Sequence, residues 1–342
     1  MKILITGLGS IGQRHLRNIQ KLFGDSVEVI AFRQRNTDRV LNSDMTVNKN
    51  KNLEKVFKLK SYYDIDEALS EKPSVTIISN PNVLHIPIAI KAARVGSHLY
   101  IEKELSDSWD GIDELTEIVK SKGLITYIGY QRRFHHGYRK IKKLIDNKFF
   151  GNILSVYFES GENIKDWHPY ESYKDLHAAV PELGGGSLSH QTHEINLLLW
   201  YFGLPEKVFA IGGPLSNLNL EVEDSVDILF GFKVHGKPLP AYVHIDYLQR
   251  PHKRICKIIG DNSCLEFDFY KNQIIIEKNN SRELINLPKF DRDEMFISSI
   301  SKFFQCVKNN TKTSHDLEEG KKMLKVSLAA KNSLQTGKVI II

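Results

Sequence analysis

Cysteine is nearly absent from this chain. Only Cys256, Cys264 and Cys306 occur, no two form a C-x-x-C pair, and the odd count argues against a disulfide framework. A dense basic block is missing too. The 47 Lys and Arg are scattered among 41 Asp and Glu, which leaves a net charge of +6. That pattern excludes the usual footprint of nucleic-acid binding, although a mildly basic surface suits an anionic substrate. No apolar run spans a bilayer: the one at 195–202 carries Asn196 and falls far short of ~20 residues. No basic-then-apolar leader precedes the first strand, so no signal peptide is expected and the cytoplasm is the expected location. Internal repeats and low-complexity linkers are also lacking.

The remaining composition, 41% hydrophobic and 26% charged over 342 residues, is that of a soluble globular protein too long for one core. Two domains are expected. Lys2 to Thr6 is a short apolar run, the composition of a buried strand. Gly7, Gly9 and Gly12 follow in the order G-x-G-x-x-G, enclosing Ser10 and Ile11, and a helical pattern with Leu16 and Ile19 comes next. Strand, glycine turn and helix form the context of a dinucleotide-binding fingerprint. Gly7 allows the tight turn, Gly9 lets the backbone approach a pyrophosphate, and Gly12 lets helix and strand pack closely. The anion then sits on the helix N-terminus. An ordinary glycine turn of an α/β domain is the alternative.

A second strand runs Val27 to Phe32. A residue that reads the cofactor ribose is expected at its end, and an acid there binds the 2′-hydroxyl of NAD. Arg33, Gln34 and Arg35 stand there instead. Two guanidinium groups and no acid favour the 2′-phosphate of NADP over NAD. Alternatively, Arg33 stacks on the adenine or lies in solvent, and both cofactors are accepted.

Further apolar runs at 75–78, 98–101 and 124–129 alternate with helical patterns at 83–95 and 110–122. This alternation predicts a doubly wound parallel sheet, an α/β Rossmann domain over 1–126. Ligands bind outside the carboxyl ends of such strands, where Asn80 to Asn82 and Glu102-Lys103 fall. Beyond about residue 130 the texture changes. Strand-like runs at 153–159, 206–211, 226–234, 240–248, 254–259, 264–269 and 273–277 follow one another with few helices. They predict an α+β domain over 127–342 with a large, mostly antiparallel open sheet. A helix over 191–202 and two late helices near 293–308 and 316–335 complete it. Whether these last helices pack back on the first domain stays open.

Several motifs together resemble the Gfo/Idh/MocA oxidoreductase family. They are Gly7-Leu-Gly-Ser-Ile-Gly-Gln-Arg-His15, Asn80-Pro81-Asn-Val-Leu-His85, Glu102-Lys103, Tyr130-Gln-Arg132-Arg133-Phe134 and the run from Gly184 through His190 and His193 to Asn196. The resemblance covers essentially the whole chain. It implies cofactor contacts from Gly7, Gly9, Ser10, Ile11, Gly12, Arg33, Arg35, Asn80, Pro81, His85, Glu102 and Lys103. It also implies assembly as a homodimer or homotetramer through the C-terminal sheet, and no membrane or nucleic-acid partner.

Lys103 matches the lysine of the family's Glu-Lys-Pro motif, beside nicotinamide and the substrate hydroxyl. A lysine there acts by charge, polarising a forming carbonyl, or as a proton relay; a surface lysine at a strand end is the alternative. Glu104 replaces the motif's proline and adds a carboxylate able to pair with Lys103. The family's second motif places an Asp and a His on one helix. His193 matches the histidine, whereas His190 occupies the Asp position. Three residues apart, the two are expected on one helical face. A neutral histidine can take a hydroxyl proton near neutral pH, so His193, with His190, is the candidate for that step. Interior histidines are the alternative. The pair also suggests metal, but no third ligand is evident, so none is expected.

Asp166-Trp167-His168-Pro-Tyr170 resembles a segment of family members encoded among surface-sugar genes. Trp167 can stack on a sugar ring while His168 and Tyr170 bond its hydroxyls, or Trp167 can simply anchor the loop. Arg132 and Arg133 are candidates to meet an acidic substrate, or are solvated. The expected activity is NAD(P)-dependent hydride transfer on a secondary alcohol of a sugar, sugar acid or nucleotide sugar, in surface-polysaccharide sugar synthesis. The departures at 104 and 190 keep two alternatives open: a catalytically silent cofactor-binding sensor, and a redox-neutral enzyme that retains its cofactor.

Overall fold

Lys2–Thr6 (β1) forms a central strand because Ile3, Leu4 and Ile5 are buried on both of its faces, as a parallel sheet under helices requires. Ser10–Phe23 (α1) leads to Glu28–Phe32 (β2). A small hairpin follows, Val40–Leu41 (β3) with Val47–Asn48 (β4), then Leu53–Phe57 (α2), Lys60–Tyr62 (β5) and Ile65–Ser70 (α3). The Asp64 carboxylate caps α3 by accepting from the Asp66 and Glu67 N–H groups. Val75–Ile78 (β6), His85–Arg94 (α4), His98–Ile101 (β7), Ile112–Lys122 (α5) and Thr126–Ile128 (β8) complete the alternation. The strands are parallel in the order β5-β2-β1-β6-β7-β8, a doubly wound α/β Rossmann sheet. Strand order reverses at β1 and β6, so the carboxyl edge there is the switch point where such sheets bind ligands. The computed structural model describes residues 1–34, 39–48 and 52–342.

The second sheet is built by Ile153–Gly161 (β9), Lys207–Gly213 (β10), Ser225–Val234 (β11), Lys237–Asp246 (β12), Lys253–Gly260 (β13), Cys264–Asp268 (β14), Gln273–Lys278 (β15), Ser281–Asn286 (β16) and the terminal Ile340–Ile341 (β17). Their order is β16-β15-β14-β13-β9-β12-β11-β10-β17, antiparallel except where β9 meets β12. Residues alternate along it: Val226, Ile228 and Phe230 are buried while Asp227 and Leu229 face outward. His136–Asp146 (α6) precedes this sheet, and Ser187–His190 (α7) and His193–Phe202 (α8) lie between β9 and β10. The helix expected over 191–202 is present as α8, starting at His193, and a separate short helix, α7, precedes it. Gln191 leaves helical geometry at ψ 43 and separates them.

Two units result, Met1–Gln131 with Arg292–Leu324, and Arg132–Asp291 with Lys325–Ile342. Arg292–Asn309 (α9) groups with the first sheet although it follows the second in the chain. Its apolar stripe explains this: Phe304 meets Phe23 of α1 at 4.7 Å, and Ser299 Oγ lies 2.9 Å from the Tyr100 hydroxyl on β7. Leu317–Thr336 (α10) begins in the first unit and ends in the second. Among the described residues no helix is long and apolar enough to cross a membrane.

On the outer face of the second sheet, His244 stands between two carboxylates, Nδ1 2.6 Å from Asp227 and Nε2 3.0 Å from Asp246. The Asp246 hydrogen bond, joined by Asp227 and opposed by burial, raises the His244 pKa to about 9. A raised folded-state pKa stabilises the fold fully below the unfolded value near 6.5 and loses that contribution as pH climbs through about 9. The melting temperature should therefore fall over that window by more than it does in His244→Gln, as thermal denaturation at stepped pH will show.

Candidate active site

The glycine turn is held from three strands. Gly7 N–H donates to Phe32 O of β2 at 3.0 Å, and the Ser79 hydroxyl, just past β6, lies 2.9 Å from both Thr6 O and Gly7 O. Gly7 has φ 80, and a Cβ there would press on the Ser79–Asn80 backbone at 2.9 Å. At Gly12 a Cβ would overlap the Gly7 carbonyl oxygen, so α1 approaches the turn as closely as its backbone allows. Gly9 differs: among the described residues, a Cβ there meets nothing within 4 Å. The chain itself gives no reason for glycine at that position, but an approaching anion does. The first turn of α1 carries no acid and its Ncap, Gly9, no side chain, so neither occupies the helix N-terminus. These residues fit a dinucleotide pyrophosphate.

Arg33 leaves β2 buried, with Nη1 3.5 Å from Ser61 Oγ and the guanidinium 5.9 Å from the Tyr63 ring centre. Arg35 lies outside the described residues. Asn80 Oδ1 is buried without a hydrogen-bond partner among the described residues. Pro81 opens the short turn 82–84 that leads into α4. Past β7, the Lys103 ammonium lies 3.7 Å from Glu104 Oε1, joined by a cis peptide bond between these residues.

His85, one of the expected cofactor contacts, meets the chain's own backbone. Its ring is buried, Nδ1 2.6 Å from Glu104 O and Nε2 2.8 Å from Asn80 O. Both nitrogens face backbone carbonyls, and a neutral ring donates its one N–H to either of them. Burial, opposed by those two carbonyls, holds its pKa below the ordinary histidine value.

In the second unit, Arg133, an expected substrate contact, is also engaged by the chain. It is buried, its Nε donates to Asn196 Oδ1 at 2.9 Å, and it lies over Trp200, so it secures α8. Arg132 stacks 4.5 Å over Phe269, its Nε and Nη1 buried without hydrogen-bond partners among the described residues. Burial and the Arg254 charge lower its pKa to about 10. Trp167 meets Tyr247 edge-on at 5.1 Å and packs on Ile164, Leu176 and Leu218, which makes it a loop anchor. His168 Nδ1 lies 2.7 Å from Glu171, and its ring stacks on Tyr170 at 5.1 Å.

His190 ends α7 and His193 starts α8, so they do not share one continuous helical face. His190 Nδ1 lies 3.3 Å from Gly186 O, its ring 4.6 Å from that of His177. Below His193, the fully buried Glu194 pairs with Arg254, whose Nη2 also reaches Glu162 at 2.8 Å. Burial opposes charge on Arg254, but Glu194 and Glu162 hold its pKa well above the ordinary value. Among the described residues no group of three or more His, Cys, Asp or Glu is arranged to hold a metal ion.

Ser79, His177 and Arg254 were not legible as site residues, since each meets its partner only after folding. Gln13 belongs with them: its amide donates to Leu8 O and Arg39 O and accepts from Leu41 N–H, tying the hairpin to the glycine turn.

A Rossmann sheet with this turn, followed by a large open sheet, defines a two-domain dinucleotide-binding protein. A model described as "Oxidoreductase family, NAD-binding Rossmann fold" matches residues 1–130, and one for the GFO/IDH/MocA C-terminal domain matches 138–265. The chain belongs to the Gfo/Idh/MocA oxidoreductase family. It is 24% identical to a myo-inositol 2-dehydrogenase of Thermotoga maritima, over 98% of this chain and 96% of that one. It is 32% identical to a 2,7-anhydro-N-acetylneuraminate hydratase of Mediterraneibacter gnavus, over 49% of this chain and 44% of that one. The chain spans about half the length of several curated relatives it matches. In fold it is similar to the WlbA dehydrogenase of Bordetella pertussis, a structure in complex with NADH and UDP-GlcNAcA, at a TM-score of 0.79 and 18% identity, covering 100% of this chain and 98% of that one.

Gly9→Ala should separate binding from folding. It should leave stability within about 0.5 kcal/mol in urea titration and weaken NAD(P)H binding more than about tenfold by calorimetry. Gly12→Ala should lose at least about 1–3 kcal/mol of stability as well, because its clash is with backbone.

Proposed function

We propose that this chain is an NAD(P)-dependent oxidoreductase moving a hydride between nicotinamide and a secondary alcohol of a sugar, sugar acid or nucleotide sugar. One observation carries the reading: the mostly buried Lys103 ammonium stands at the carboxyl edge of the sheet whose first turn fits a dinucleotide. Family membership supports it, as does the likeness to an inositol dehydrogenase and to the WlbA dehydrogenase.

Bound nicotinamide supplies the hydride acceptor or donor. Gly7, Gly9, Ser10, Ile11 and Gly12 would hold the pyrophosphate through backbone N–H groups, with Asn80, Pro81 and Glu102 along the same edge. Lys103 orients and polarises the substrate oxygen. His193, with His190, takes or returns the hydroxyl proton. Arg132, with two desolvated donors and no partner for them, is suited to an acidic group of the substrate. The cofactor we assign is NADP, because Arg33 and Gln34 leave no carboxylate at the end of β2. A place in surface-polysaccharide sugar synthesis rests on the 166–170 segment. Assembly as a dimer or tetramer uses the outer face of the second sheet, where Ile211 and Leu229 are exposed.

The likeness to a hydratase favours one second reading, a redox-neutral reaction in which the cofactor is oxidised and re-reduced within each cycle. Net NADP(H) consumption against a panel of sugars separates the two. In either case Lys103→Ala should lower turnover about 100-fold or more while calorimetric NADPH affinity stays nearly unchanged; unaltered turnover refutes the role. NADPH should bind more tightly than NADH, and the reverse order overturns the cofactor assignment.

A further inference from the structure

Lys103 is bracketed by two buried histidines of its own unit, each against groups of the chain itself. On one side, His15 Nε2 lies 2.6 Å from Glu102 Oε1, with the His15 ring fully buried and the Glu102 side chain nearly so. The ring is boxed by Tyr100 at 5.2 Å and Phe296 at 6.3 Å, both edge-on. His15 Nδ1 is buried with no hydrogen-bond partner among the described residues, so the ring proton belongs on Nε2, donated to the carboxylate. The carboxylate rests on Gly129, where a Cβ would stand 3.1 Å from it. Glu102 N–H donates to Ile78 O at 2.9 Å, so backbone and side chain of this residue are both fixed.

On the other side, His85 Nδ1 lies 2.6 Å from the Glu104 carbonyl oxygen, to which a neutral ring can donate its one N–H, and Nε2 packs 2.8 Å from the Asn80 carbonyl oxygen. It thereby ties the loop after β7 to the loop after β6. The residues before and after Lys103 are each gripped by an imidazole from a different helix.

We infer that His15 and His85 are positioning residues for Lys103, fixing its two chain neighbours so that the ammonium leaves the sheet edge on one course with Glu104 as its counter-ion. The inference rests on the role proposed for Lys103 and deepens it. His15 also keeps the Glu102 carboxylate turned inward. Released, that carboxylate would swing onto the neighbouring ammonium, fix it, and reduce its reactivity.

The test needs no substrate. The full-length protein is acylated with acetic anhydride, and the labelling rate of each lysine is followed by peptide mass spectrometry. In His15→Leu, Lys103 should label about fivefold more slowly, the weight of one added ion pair, while the other lysines keep their rates. His15→Gln retains an N–H donor and should restore the Lys103 rate. In His85→Leu, loss of the Glu104 anchor should change the Lys103 rate alone, and His85→Gln should restore it. Uniform acceleration of many lysines signals loosening of the fold and overturns the inference, as does an unchanged Lys103 rate in folded variants. Should the leucine variants fail to fold, Glu102→Gln replaces His15→Leu: it keeps the acceptor for His15 but removes the charge, and must not slow Lys103. Because turnover is not the readout, a catalytically silent Lys103→Ala result would strike the proposed role and leave this inference standing or falling separately.

Discussion

The first unit is organised by a contact that tolerates no side chain, the seating of Gly12 on the Gly7 carbonyl. Close packing leaves no room for one added carbon at such a point. The contact sets α1 against β1, and the Gly7–Phe32 and Ser79–Thr6 hydrogen bonds fix the ends of β2 and β6 to the same turn. Residues at three strand ends thus take their positions from one backbone contact. The helix so seated also delivers His15 to Glu102 and Arg14 to Asp293 of α9, at 2.9 Å. A turn that fits an anion is at the same time the joint on which the ligand edge is assembled.

The second unit fixes its key helix by different means. α8 is apolar along most of its length, and hydrophobic burial is non-directional. What sets its first turn is charge: Glu194 pairs with Arg254, and Arg254 with Glu162, which also accepts from Tyr270 at 2.6 Å. Burial works against the Glu162 charge, but Arg254 and Arg132 hold its pKa at about 2. Buried pairs of this kind add little net stability over an apolar core, yet breaking one partner is costly. Their value here is register, since a helix of leucines alone can slide. Arg133, bonded to Asn196 two residues further along, adds a second fixed point.

Local signals made much of this legible. The glycine spacing and the alternation of apolar strands with helices specify the Rossmann sheet, and β-branched alternation specifies the second sheet. β16 was missed because its residues, Ser281 to Asn286, are largely polar and exposed, so no apolar period marks it. The break between α7 and α8 was missed because Gln191 is a good helix former, whereas its side chain donates to Asp246 O at 2.7 Å, a tertiary bond no propensity reveals. The same holds for the site. Lys103 is placed by its motif, but His15 meets Glu102 across 87 positions and His85 meets Glu104 across 19. Arg133 and His85 carry polar groups that suit a ligand, and only folding shows them engaged by the chain itself.

The two departures from the family pattern can be weighed as one change in charge. Histidine at 190 removes a carboxylate from the second unit, and glutamate at 104 adds one beside Lys103 in the first. Coulomb attraction falls with distance and is screened by water, so an acid 3.7 Å from the ammonium, with both groups mostly buried, acts on it more strongly than an exposed acid further away. Glu104 therefore makes the charge on Lys103 a local property of the loop after β7. Proline at that position would offer no carboxylate, and its lysine would depend on partners contributed from elsewhere in the chain. With glutamate there, one carboxylate beside Lys103 comes from the loop that carries it, while Glu102 is held inward by His15.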